Sequence, residues 1–162
     1  MERISSFAVL AILSLLLLLG CNRDAEVLTT DKINPIDKLQ ITEMIIENSK
    51  VGNITVSDKN IINQTIIDLA KVKVVKLSPE QEIALMDNGE RVLQESTYII
   101  TLENDSHIIK SSAVLLSEKE LILNDVKTMS GNDRTVSYLN IDDEETLKYV
   151  NNLYNLLLRQ KA

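Results

Sequence analysis

A run near the N-terminus, residues 7–19, is apolar throughout except for Ser14, and it stops at Gly20-Cys21. No other feature constrains the chain as strongly, because it decides which residues are available for folding. As a helix the run would span only about 20 Å, short of the roughly 30 Å hydrocarbon core of a bilayer. Its length and position are those of the hydrophobic stretch of a secretory signal peptide. Arg3 and the terminal amine supply positive charge ahead of it, and Glu2 offsets part of that charge. Residues 1–20 are therefore expected to act as a signal peptide and to take no part in the fold.

The tetrapeptide Leu18-Leu19-Gly20-Cys21 resembles the lipobox of bacterial lipoproteins. That resemblance implies a thioether diacylglycerol on the Cys21 thiol and cleavage between Gly20 and Cys21. Cys21 is the single cysteine of the chain, and it sits directly at the end of the apolar run. Two acyl chains on one residue supply the two signals that stable anchoring needs. The plainer alternatives are a signal peptide with an incidental cysteine, or a signal anchor. Residues 21–37 then read as a lipidated tether, polar and containing Asn34-Pro35. As a coil of roughly 16 residues it would hold a domain on the order of 20 Å from the membrane.

Composition narrows the chemistry of the remainder. One Cys excludes an intramolecular disulfide framework and a Cys-rich zinc site. One His excludes a multi-His metal centre, and no Trp with a single Phe (Phe7) leaves four tyrosines as the aromatics of the domain. That is poor material for stacking sugars or bases. A net charge of −7 argues against nucleic acid, whose phosphates require clustered Lys and Arg.

Residues 38–162 suit one domain around one core. Residues 39–47 read as a first strand, with Leu39, Ile41 and Ile45 of one parity and Ile46 breaking the alternation; 54–56 read as a short second strand. Asp58 is placed to cap a helix whose apolar spacing runs Ile62, Ile66, Leu69 toward Lys73. The stretch from Lys71 to Leu77 alternates like a strand. Ser78-Pro79-Glu80-Gln81 has the form of a capping box, predicting a helix over 79–87 with Gly89 as the left-handed residue past its end. Four strands follow at 96–102, 107–116, 120–127 and 134–140, separated by turn-forming residues. Tyr98, Ile100 and Leu102 share one face, Leu121 and Leu123 oppose Ile122, and Val136 and Tyr138 point inward. The acidic residues 142–145 open a last helix, where the macrodipole favours negative charge. Its apolar stripe is Leu147, Val150, Tyr154, Leu157 and Leu158. Strands joined by short turns imply an antiparallel meander. The expected fold class is α+β: an antiparallel meander sheet of about four to five strands with two main helices packed on one face, preceded by the signal peptide.

Few residues invite a chemical role. A catalytic His107 would need an orienting acid and a nucleophile, and Asp105 and Ser106, its neighbours in a turn, are poorly placed for that. It reads as an exposed histidine at a strand start. The acids at 142–145 lack the spacing of a Ca²⁺ loop, and a helix N-terminus accounts for them. Lys71, Lys73, Lys76 and Arg91 form a small basic group. It could meet anionic headgroups, but lysines on a solvated edge strand explain it as well. No glycine-rich phosphate loop and no G-x-S-x-G motif is present. No catalytic residue, metal ligand or cofactor is assigned.

With the lipobox, the strand at 41–47, the Ser57-Asp58-Lys59 helix start, the strand at 98–102 and the closing acidic helix, the chain resembles the small Firmicute lipoproteins typified by YhfM of bacilli. The resemblance covers roughly residues 38–160. It implies no assigned activity and carries over no functional residue beyond Cys21. The expected role is a membrane-anchored extracytoplasmic lipoprotein, a non-catalytic binding or accessory module of the cell envelope. Its partners would be membrane lipid through acylated Cys21 and an envelope protein, with no nucleic acid. The alternatives are a small envelope enzyme or a small-ligand receptor.

Overall fold

The computed structural model describes residues 26–35, 41–129 and 134–160. Among them, eight strands form one antiparallel sheet: β1 (Val27–Thr29), β2 (Glu43–Asn48), β3 (Gly52–Val56), β4 (Lys73–Lys76), β5 (Tyr98–Glu103), β6 (Ile109–Leu115), β7 (Leu121–Asn124) and β8 (Ser137–Asn140). Their spatial order is β1-β4-β8-β7-β6-β5-β2-β3. The helices are α1 (Thr30–Ile33), α2 (Lys59–Lys71), α3 (Pro79–Met86), α4 (Val126–Met129) and α5 (Glu144–Arg159), and a 3₁₀ segment, Asp87–Leu93, follows α3.

The class is α+β with an antiparallel sheet, as expected, but the sheet has eight strands rather than four to five. The meander is its centre, β5 through β8. The β2–β3 hairpin extends it on one side, where Ile46 pairs with Ile100. β4 and β1 extend it on the other, where Val75 pairs with Leu139 and with Val27. These additions join segments far apart in sequence, which local patterning does not reveal.

Local signals explain where the helices start. The Asp58 carboxylate accepts the N–H groups of Asn60 and Ile61 at 2.7 and 3.4 Å, opening α2. Ser78 and Gln81 form a reciprocal capping box on α3, and Asp143 accepts the Thr146 N–H at 2.7 Å to open α5. Helix α3 ends differently from expectation. Asp87, with φ 48°, takes the left-handed position, and Gly89, with φ 94°, lies inside the 3₁₀ segment that follows.

Tertiary pairing also decides which residues face inward. In β2 the buried apolar residues are Met44 and Ile46, the parity opposite to Ile41 and Ile45, because these two pair with the inward Leu102 and Ile100 of β5. In α5 the buried stripe is Thr146, Val150, Leu153 and Leu157; Leu158 is exposed.

Helices α2 and α5 pack together on one face of the sheet. Between them and the sheet lies the main core, including Ile62, Leu69, Tyr98, Leu115, Leu123, Val150 and Leu157. The chain crosses back on the opposite face through α3, where Leu85 and Met86 pack on a smaller cluster of Val114, Leu116 and Ile122.

The expected tether is corrected over its second half. Residues 27–34 join the fold, while residues 36 and 37 lie outside the described residues: β1 pairs with β4, and Thr30 donates both its N–H and its hydroxyl to the Val72 carbonyl, each at 3.0 Å. Asn34 is buried and donates to the Asn124 carbonyl at 2.8 Å. Polar side chains that look suited to solvent instead satisfy buried backbone groups. The lysine-bearing strand is corrected as well, since β4 is an interior strand between β1 and β8.

Candidate functional site

Gly20 and Cys21, the expected processing and lipidation positions, lie outside the described residues, as does the apolar run. Among the described residues the first paired one, Val27, follows Cys21 by six positions. Beside this start of the fold is a cavity of about 590 Å³ bounded by Leu28, Lys76, Leu77, Pro79 and Tyr138, with Glu26 at its rim. Burial pushes the Tyr138 phenol up, helped by the charges of Asp125 and Glu26, so it stays a neutral hydrogen-bonding group.

A second feature lies at the far end of the sheet. Glu43 of β2 and Glu103 of β5 are direct partners in the antiparallel register. They share the parity of Ile45 and Ile99, so they stand on the face opposite α2 and α5. At Glu103 the β5–β6 register shifts: Leu102 pairs with Ser111, but Glu103 pairs with Ile109, leaving Lys110 as an extra residue. Irregularities of this kind re-aim side chains at a sheet end. The connecting turn is held by the Asn104 side chain, which accepts the N–H groups of Ser106 and Ile108. His107 adopts φ 54° in this turn. Its imidazole thereby comes over both carboxylates, with Nδ1 3.6 Å from Glu43 Oε2 and 3.4 Å from Glu103 Oε2.

This grouping brings together residues the sequence leaves apart. His107 is the exposed histidine that was expected, but its companions are Glu43 and Glu103 rather than Asp105 and Ser106. The i, i+4 spacing of Glu103 and His107 across a turn is a faint sequence signal. Glu43 enters only through strand register.

Several of the remaining sequence candidates have structural partners. Asp143 and Glu145 receive Lys73 Nζ at 3.4 and 2.9 Å. Lys71 lies over the Tyr149 ring at 5.1 Å, and Arg91 pairs with Glu120 at 2.6 Å while donating to the Leu85 carbonyl. Lys71, Lys73 and Arg91 are thus drawn to different neighbours, and Lys76 lines the cavity beside Leu28 and Tyr138.

Among the described residues, every group whose titration is displaced moves away from neutrality. Hydrogen bonds to Glu95 and Glu145 raise Lys50 and Lys73. Backbone N–H groups lower Glu80 and Asp143. Burial raises Tyr138 and Tyr154. No helix among the described residues is long and apolar enough to cross a membrane. No protein-family model matches the chain, and neither does any curated protein or solved structure.

Proposed function

We propose that this chain is an extracytoplasmic lipoprotein, anchored to a cell membrane by acyl chains on Cys21, whose domain is a non-catalytic binding or accessory module of the envelope. The observation that carries the reading is the apolar run ending at Leu18-Leu19-Gly20-Cys21, with Cys21 the single cysteine. Kinship with the small Firmicute lipoproteins belongs to the same proposal and rests on sequence pattern.

The early start of the fold sharpens the geometry of such an anchor. Six residues reach at most about 20 Å when fully extended. Cys21 in a bilayer surface therefore keeps Val27 close to it, and β1, an edge strand, is the membrane-proximal side of the domain. The cavity at Leu28 and Tyr138 lies on that side.

The test is fractionation of cells expressing the wild type and a Cys21→Ala variant, with labelled palmitate. The wild type is expected in the membrane fraction, labelled and shortened by the signal peptide. The variant is expected unlabelled, and either released or retained as precursor. Identical migration, labelling and fractionation of the two overturns the anchor. A single stoichiometric envelope protein co-purifying with the solubilised wild type supports the accessory role. Turnover of ester, peptide or phosphate substrates that disappears in His107→Ala overturns it.

A further inference from the structure

We propose that Glu43, Glu103 and His107 bind one divalent transition-metal ion of intermediate hardness, with Zn²⁺ as the representative ion. Nothing in this site depends on membrane attachment.

Three observations converge. The first is electrostatic. Carboxylates directly opposite each other on adjacent strands repel, and Glu43 and Glu103 are such a pair. The Glu103 side chain is only 12% exposed and that of Glu43 34%, so water screens the pair incompletely. Among the described residues neither carboxylate has an ion pair with Lys or Arg; the one basic group against them is His107. A divalent cation between them converts the repulsion into attraction.

The second is geometric. The Nδ1–oxygen separations of 3.6 and 3.4 Å exceed the usual length of an N–H···O bond. They match the spacing of two ligand atoms on a tetrahedral ion. Donors about 2.0–2.2 Å from such an ion stand about 3.3–3.6 Å from each other. One ligand atom from each residue lies within 4.8 Å of the other two.

The third is the chemistry of the donor set. Two carboxylates balance the charge of a divalent ion, and an imidazole favours first-row transition metals over Ca²⁺ or Mg²⁺, which prefer oxygen. Three protein ligands leave a fourth position open. His107, with a side chain 74% exposed, keeps that position on the solvent side. Water, or a donor atom from a partner, can occupy it.

The experiment uses the untagged full chain in detergent micelles, stripped with a chelator and titrated calorimetrically with Zn²⁺. The expected result is one ion per chain, with a melting temperature that rises on loading. His107→Ala and Glu103→Gln are each expected to weaken binding by more than about tenfold and to abolish the rise. Glu118→Gln, remote from the cluster, is expected to bind as the wild type does. Glu103→Gln removes a like-charge contact while keeping the shape of the side chain. Its metal-free melting temperature is expected to be no lower than that of the wild type, so this variant carries the test even if His107→Ala folds poorly. Equal Zn²⁺ affinity in the wild type and both ligand variants overturns the proposal, as does the absence of binding at millimolar Zn²⁺.

Discussion

The two faces of the sheet differ in what covers them. One lies under α2 and α5, the two longest helices, and its inward residues are mainly apolar, from Met44 and Ile46 in β2 to Leu121 and Leu123 in β7. The other is covered only in part, where α3 packs on Val114, Leu116 and Ile122. Beyond α3 it carries the Glu43–Glu103–His107 cluster. The contrast separates two tasks. The helix-covered face supplies the hydrophobic stabilisation. The partly open face can carry charged groups in register because it contributes less to the core.

The largest test of that division is a pair of truncations. Leu123→Ala, under the two helices, is expected to cost about 2–5 kcal/mol in denaturant unfolding, as fully buried leucines do. Leu116→Ala, in the smaller cluster, is expected to cost less, because the loosely covered site can relax around the lost volume. Equal losses from the two would show that the faces share the core evenly.

A smaller effect is expected from Ser78→Ala, which removes half of the capping box on α3. The expected loss is about 1 kcal/mol. It should appear as faster amide exchange in α3, with α2 and α5 unchanged. Spread of the effect to α5 would mean that the cover of the open face is coupled to the main core.

The smallest effect is the pH dependence of the junction between β4 and α5. Asp143 is held below the usual carboxylate range first by the Thr146 N–H and also by Lys73. Its contribution is therefore present above the unfolded Asp value of about 3.9, and it is lost as the pH falls through the lower folded value. Lys73 is raised mainly by its hydrogen bond to Glu145. Its contribution is present below the unfolded Lys value of about 10.4, and it is lost as the pH rises through the higher folded value. Asparagine can still cap a helix, so Asp143→Asn is expected to keep α5 while making the acid limb of the stability profile shallower. An unchanged acid limb would show that the Asp143 charge contributes nothing at this exposed position.

Much of the local structure is legible in the sequence. Asp58, Ser78 with Gln81, and Asp143 mark helix starts because their side chains satisfy N–H groups two or three residues away. Tyr98, Ile100 and Leu102 declare a strand face because their alternation is strict. Where β2 carries consecutive apolar residues, Met44-Ile45-Ile46, alternation cannot decide the inward side, and pairing with β5 does. Val27–Thr29 is too short to stand out as a strand, and it becomes one only because β4 offers it an edge. The Glu43–Glu103–His107 grouping is almost invisible in the sequence for the same reason. Sixty positions separate Glu43 from Glu103, and only strand register brings them side by side.

The sequence by itself determined features that depend on near neighbours: the apolar run ending at Cys21, the caps that start the helices and the α+β class. Tertiary structure alone decided the eight-strand order, the inward face of β2, the incorporation of Val27–Asn34 and the meeting of two carboxylates with one imidazole. The physical reason is range. Capping and alternation are interactions between residues a few positions apart, whereas sheet register is set by the joint burial of many distant residues.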